Sequence, residues 1–207
     1  MLKLHAEFIG MFFITIAVGI SSNPLAAGLL LVALVYLFSG FSGAHFNPAV
    51  TLAAWITDDI STRHLTTNLL AHAAGAIAGA FFVWWILGIS HNQQPSASLG
   101  AFEFATLELV FSFLFVLVFL FVMYPLKRRK NPIYGLIIGL TFAGCYFITE
   151  PLSSTGLNPA FSTAFILIDY INNGQAYFYL PIYLFSPLVG GVLAGLLYKR
   201  YITLSAA

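Results

Sequence analysis

Apolar residues run along this chain in blocks long enough to cross a lipid bilayer, separated by short polar connections. A bilayer core about 30 Å thick needs about 20 mostly apolar residues in a helix. Six stretches suit that length, at 4–20, 25–41, 68–88, 104–124, 132–149 and 178–198. In lipid every backbone N–H and C=O has to find a partner within the protein, which leaves only helices and closed barrels. The runs show no period-two alternation, so they predict helices. Two further apolar stretches, 48–56 and 159–168, are too short to span. Each follows a full span and opens with the same tripeptide, Asn47-Pro48-Ala49 and Asn158-Pro159-Ala160. Asn is a strong N-cap, and Pro suits the first helical turn because no N–H is needed there. The two stretches predict re-entrant half-helices. The expected fold is an all-α membrane bundle of six transmembrane helices plus two half-helices.

Composition agrees with this pattern. Hydrophobic residues make up 60% of the 207 and charged residues 7%, against about 25% charged in soluble domains. A soluble domain and a disordered chain are excluded. A formal net charge of +1 offers no footprint for nucleic acid. One cysteine excludes a disulfide framework and a cysteine metal site. Lys3 ahead of an apolar run suggests a signal peptide, but Glu7 inside the run argues for a first span. The eight basic residues are Lys3, Arg63, Lys127, Arg128, Arg129, Lys130, Lys199 and Arg200. Six spans put them all on one side, with both termini. The positive-inside rule makes that side cytoplasmic, in a multi-pass protein of the plasma or inner membrane. The run at 127–130 reads as a topology anchor, with a lipid or nucleic-acid site as the other reading.

The two short stretches belong to a repeat. Span one carries Glu7-Phe8-Ile9-Gly10-Met11-Phe12, and span four carries Glu108-Leu109-Val110-Phe111-Ser112-Phe113. In each half the order is a Glu-bearing span, a span, a half-helix, a span. Three spans per half turn the second half upside down, giving one channel domain of inverted repeats, 1–100 and 101–207. The half-helix N-termini then meet near the bilayer centre, each with about half a positive charge from its macrodipole. Asn47 and Asn158 add amide donors there. Such a centre orients a water or alcohol oxygen and repels cations.

These residues resemble the aquaporin family, also called the major intrinsic proteins. Ser42-Gly43-Ala44-His45-Phe46-Asn47-Pro48-Ala49-Val50-Thr51 is similar to that family's first signature, and Thr155-Gly156-Leu157-Asn158-Pro159-Ala160 to its second. The resemblance covers essentially the whole chain. It implies an hourglass pore in each subunit, a homotetramer in the lipid bilayer, and water or small neutral solutes as permeants. Gly43, Ala44, His45, Gly156 and Leu157 would line the pore, and Glu7 and Glu108 would support the loops before the half-helices. A proton relay is the other reading of the two Glu residues. The constriction would comprise Ala27, Tyr146, Thr155 and Phe161. The family normally has Arg where this chain has Phe161. Water-selective members usually have an aromatic residue and His where Ala27 and Tyr146 stand.

Other residues keep two readings. His45 reads as pore-lining, with a pH switch or metal ligand as alternatives, and His72 reads as helix packing. Gly75-x-x-x-Gly79, Gly135-x-x-x-Gly139 and Gly191-x-x-x-Gly195 mark close helix crossings, within the chain or between subunits. No catalytic constellation, cofactor motif or metal spacing occurs in the sequence. The leading function is a passive channel for water or small neutral solutes. A glycerol- or ammonia-type channel is the first alternative. An ion-coupled secondary transporter and a structural membrane protein follow.

Overall fold

The computed structural model describes residues 2–206 except 22, 92, 125–130 and 155. The described residues form eight α-helices: α1 (Leu2–Ser21), α2 (Pro24–Ser42), α3 (Pro48–Ile56), α4 (Thr62–Leu87), α5 (Ala101–Met123), α6 (Tyr134–Ser153), α7 (Pro159–Ile171) and α8 (Leu180–Ala206). A 3₁₀ turn, Ala176–Tyr179, leads into α8. Six helices are long and apolar enough to cross a membrane, and α3 and α7 are the two short ones. The expected all-α architecture is therefore the observed one. The basic run at 127–130 and Thr155 lie outside the described residues.

Helix ends depart from the apolar runs where polar residues continue a helix. The third span was expected to begin at 68, but α4 begins at Thr62, capped by the Ser61 hydroxyl, which accepts from the His64 N–H at 3.3 Å. The Thr66 and Thr67 hydroxyls bond back to the Arg63 carbonyl at 3.0 and 2.9 Å, which lets polar residues extend the helix beyond its apolar part. The second short helix likewise runs to Ile171, past the expected 168.

The packing order is the same in both halves. α1 lies on α2 and α4, and α5 lies on α6 and α8. The halves join where α2 crosses α6, and where each short helix packs on the other half's last span, α3 on α8 and α7 on α4. Small residues make these approaches close. A Cβ on Gly75 would stand 2.5 Å from the Phe8 carbonyl oxygen, and one on Gly190 would stand 2.5 Å from that of Leu109. Gly191 abuts Ala49, Gly195 abuts Ala53, and Gly139 abuts Gly28 and Val32. All three Gly-x-x-x-Gly faces are thus crossings within the chain. Large apolar side chains, among them Leu37, Phe81, Trp85, Phe102 and Phe147, point outward. That surface suits lipid or another membrane protein.

Gly139 tests the α2–α6 crossing. In a helix Ala is favoured over Gly by about 1 kcal/mol, yet a Cβ on Gly139 would meet Val32 Cγ2 at 2.4 Å and the Gly28 carbonyl oxygen at 2.5 Å. Gly139→Ala is expected to lower the thermal stability of the detergent-solubilised protein by about 1–3 kcal/mol through overpacking. Gly40→Ala, where a Cβ meets nothing within 4 Å, is expected to leave it unchanged or raised.

Candidate functional site

The two short helices meet end to end. Asn47 caps α3 by accepting from the Ala49 N–H at 2.8 Å, and Asn158 caps α7 by accepting from the Ala160 N–H at 3.1 Å. Pro48 and Pro159 occupy the first turns. Each amide then reaches across. Asn47 Nδ2 donates to the Leu157 carbonyl at 3.0 Å, and Asn158 Nδ2 donates to the Phe46 carbonyl at 2.7 Å. Sequence reasoning pointed these amides at an occupant of the centre. The structure commits one hydrogen of each to the facing loop. A side-chain amide carries two hydrogens, so each keeps a second; the weakly accepting Met11 sulfur lies 3.8 Å from Asn158 Nδ2.

The loop before α3 leaves the His45 and Phe46 N–H groups without local partners. Gly43, Ala44 and Phe46 have φ of 95°, 52° and 45°, a region that costs a residue with a Cβ about 1 kcal/mol or more. Glu7 of α1 supplies the partners. Its carboxylate accepts from the His45 N–H at 3.1 Å and the Phe46 N–H at 2.9 Å, and His72 Nε2 of α4 lies 2.8 Å from it. All three side chains, Glu7, His45 and His72, are buried. His72 was read as a packing residue; the structure makes it the polar partner of Glu7. Nothing local links residues 65 positions apart, and the only signal is that a histidine within a span needs a partner.

The second loop is supported differently. Glu108 accepts from the Gly156 N–H at 3.1 Å, and the Ser162 hydroxyl donates to the Gly156 carbonyl at 3.1 Å. Among the described residues the other Glu108 oxygen has no partner at hydrogen-bond geometry. Gly75 meets Phe8, and Gly190 meets Leu109, the residues after the two Glu. Counting back three positions from each glycine, the place of His72 is taken by Pro187, which has no side-chain donor.

Two cavities flank this centre. On the side bearing the termini, one of about 510 Å³ is lined by residues including Lys3, Gly43, Asp59, His64 and Tyr124. The His45 ring lies beside it, with Nδ1 2.9 Å from the Thr51 hydroxyl and Nε2 2.7 Å from that of Tyr124. Sequence reasoning missed Tyr124. Partial burial, with the Asp58 charge beside it, holds the Asp59 carboxyl above its usual range. On the far side a cavity of about 410 Å³ is lined by Gly19, Ser90, His91, Tyr146, Glu150, Ser154 and apolar neighbours. Ala27, Tyr146 and Phe161 are all buried in one apolar core. The Phe161 ring centre lies 6.2 Å from that of Phe165. An aromatic ladder joins the two ends: His45 to Phe119 at 5.7 Å, Phe119 to Phe115 at 6.4 Å, Phe115 to Phe142 at 5.6 Å and Phe142 to Tyr146 at 6.0 Å.

The connection between α4 and α5 also enters the far side, which no pattern in its polar sequence announced. Gln93 is fully buried and donates to the Ser154 carbonyl at 3.2 Å. Ser154 donates back to the Gln94 carbonyl at 2.7 Å, and the Ser96 N–H donates to that of Leu152 at 2.7 Å. His91 stacks on Phe165 with ring centres 4.5 Å apart. Burial pushes the His91 imidazole down to about 4. Among the described residues no group of His, Cys, Asp and Glu is placed to hold a metal ion.

A bundle of six membrane-crossing helices, closed around two half-helices that meet head to head, defines a class of helical membrane channel. The chain belongs to the major intrinsic protein family, whose sequence pattern matches residues 3–198. It is a multi-pass membrane protein and, like the passive channels of that family, not an enzyme. Aquaporin AqpM of Methanothermobacter marburgensis is 32% identical over 187 residues, covering 86% of this chain and 75% of that protein. Aquaporin Z of Rhodopseudomonas palustris is 29% identical over 224 residues, covering 95% and 92%. The fold matches the X-ray structure of the aquaglyceroporin from Plasmodium falciparum with a TM-score of 0.84, at 21% identity and 98% coverage of each chain.

The unequal support of the two loops is testable. A hydrogen bond to a charged acceptor is worth roughly 1.5–3 kcal/mol. Glu7→Gln disturbs three such bonds and Glu108→Gln one. Glu7→Gln is expected to lower thermal stability by about 2 kcal/mol more than Glu108→Gln. Equal losses would show that the halves are supported alike.

His91 supplies a second test. Its imidazole titrates near 4 in the folded chain and near 6.5 when unfolded. Between these values the unfolded chain binds the extra proton, so stability falls as pH drops from about 6.5 towards 4. His91→Phe keeps the stacking ring and removes the proton site. The fall in melting temperature across that window is expected to be smaller in the variant than in the wild type.

Proposed function

We propose that the chain is a passive channel for water and small neutral solutes, running from one cavity to the other past Asn47 and Asn158. The observation that carries this reading is the reciprocal pair of amide–carbonyl bonds that holds two helix N-termini face to face. That arrangement leaves a second amide hydrogen on each Asn for a permeant oxygen. The facing helix ends oppose a cation. Pro48, Ala49, Pro159 and Ala160 shape the half-helix starts, and Gly43, Ala44, His45, Gly156 and Leu157 line the path. Ala27, Tyr146 and Phe161 form its narrow part. Glu7 and Glu108 support the loops and are not relay groups, because each accepts from backbone N–H groups beside a half-helix, with His72 as the further partner of Glu7. A secondary transporter is disfavoured, since the described Lys and Arg residues stand near helix ends and not at the centre. A homotetramer in the plasma or inner membrane, with both termini cytoplasmic, completes the reading.

The donor-poor narrow part favours glycerol or ammonia beside water. Phe161 gives no hydrogen bond where a family Arg gives several donors and a full charge. Stopped-flow light scattering on proteoliposomes tests the selectivity. Phe161→Arg is expected to raise the ratio of water to glycerol and ammonia permeability. An identical ratio, at equal protein density, would place the narrow part elsewhere.

Asn158→Asp tests the centre. Asp caps a helix as well as Asn but turns the Nδ2 donor into an acceptor facing the Phe46 carbonyl. Water flux is expected to fall by about ten-fold, the equivalent of 1.4 kcal/mol, with size-exclusion behaviour unchanged. Full flux through the folded variant would remove Asn158 from the path.

A further inference from the structure

Charge is divided unequally between the two faces. The described Lys and Arg residues, Lys3, Arg63, Lys199 and Arg200, belong to the face that bears the termini. Among the described residues the far face carries Glu103, Glu150 and Asp169 and no Lys or Arg. Two of these three acids do not line the far cavity. Asp169 accepts from the Ser90 hydroxyl and the Ala176 N–H, both at 3.0 Å. Glu103 is exposed in the first turn of α5, beside Gly100.

Glu150 is the carboxylate that lines the cavity. It is half-buried, and among the described residues no cation pairs with it. Around it stand the Ser90 and Ser154 hydroxyls, Gly19, and the rings of Tyr146 and His91. His91 is the other titratable group besides Tyr146 on the cavity wall, and it faces the Gly19 carbonyl. A carboxylate ringed by hydroxyls and aromatic rings, with no described Lys or Arg on its face, is complementary to a small N–H-bearing cation.

We propose that the far cavity is a binding site for a small protonated amine, ammonium or methylammonium, held by Glu150 among the walls formed by Tyr146 and His91. The volume of about 410 Å³ admits such a cation with its water. The aromatic rings offer attraction to the cation, and the hydroxyls accept its N–H groups. Phe161 sets no fixed positive charge against it. The inference rests on the channel reading and deepens it by naming a solute class. Further in, the cation meets the positive ends of the two short helices. The N–H bond therefore breaks at the mouth, its proton passes to water in the cavity, and the uncharged base goes on.

The test is saturation-transfer difference NMR on the purified chain in nanodiscs at pH 7, with methylammonium as probe. Saturable transfer to the methyl protons is expected, displaced by ammonium and not by urea or by equal sodium. Glu150→Gln is expected to weaken binding by about five-fold, the upper range for a partly exposed charge pair. His91→Trp, which fills the cavity and keeps an aromatic ring on Phe165, is expected to abolish the signal. Glu150→Asp is expected to retain part of it and serves if Glu150→Gln does not fold. No saturable signal in the wild type, equal displacement by sodium, or undiminished binding in folded Glu150→Gln would overturn the site. Flux separates the two readings. Binding without any protein-dependent water or solute flux would remove the channel and leave the site; flux without binding would do the reverse.

Discussion

Backbone that leaves a helix inside lipid has to find every hydrogen-bond partner within the protein, and this chain does so twice. The segment before α3 takes left-handed φ at Gly43, Ala44 and Phe46, so the His45 and Phe46 N–H groups find no partner in a helix ladder. Glu7 accepts two of them, and the Asn158 amide takes the Phe46 carbonyl. The segment before α7 leans on Glu108, Ser162 and the Asn47 amide. Each loop therefore holds one end of the other's cap. Neither short helix has its place without the opposite half, so the channel centre and the joining of the halves rest on the same few bonds.

The halves solve this problem with different means. In the first, α4 brings His72 to Glu7 and buries the pair completely. In the second, α8 has Pro187 at the corresponding place, and the carboxylate of Glu108 has a single clear donor. Support comes instead from the connection between α4 and α5. Gln93 bonds the Ser154 carbonyl, and Ser154 and the Ser96 N–H bond back across the same junction. A folded-in polar connection thus stands in for the buried contact between a carboxylate and a histidine. It also brings His91 over Phe165, so the far mouth takes its chemistry from a connection as well as from the helices.

Much of the architecture was legible because lipid imposes simple rules. Span length, the two Asn-Pro-Ala starts and the matched Glu residues all follow from local pattern, and the observed helices agree with them. The starts were clearer than the ends. Ser61 and the self-bonding Thr66 and Thr67 carry α4 beyond its apolar run, because a helix ends where its caps are and not where hydropathy falls. The partners were less legible than the elements. Glu7 with His72, and His45 with Tyr124, join residues 65 and 79 positions apart. Only packing of distant spans creates them. The inward fold of Gln93 had no signal beyond a polar composition that equally suits an exposed loop.

On the channel reading proposed above, Phe161 changes the balance of forces along the path more than it changes its shape. Between the two cavities runs the buried aromatic ladder from Phe119 to Tyr146, whose phenylalanine rings offer no hydrogen-bond donors. The polar groups lie on the loops, as carbonyls, the two Asn amides and the hydroxyls of the far mouth. With Phe at 161, no described Lys or Arg stands on the far side, and among the described residues Glu150 there pairs with no basic side chain. Opposition to cations then falls to the α3 and α7 N-termini alone, whose partial charges act only over the first turn or so. On that same channel reading, the electrostatic barrier is central and short, where an Arg would add a second barrier at the mouth, and a cation that reaches the far cavity is turned back at the two asparagines.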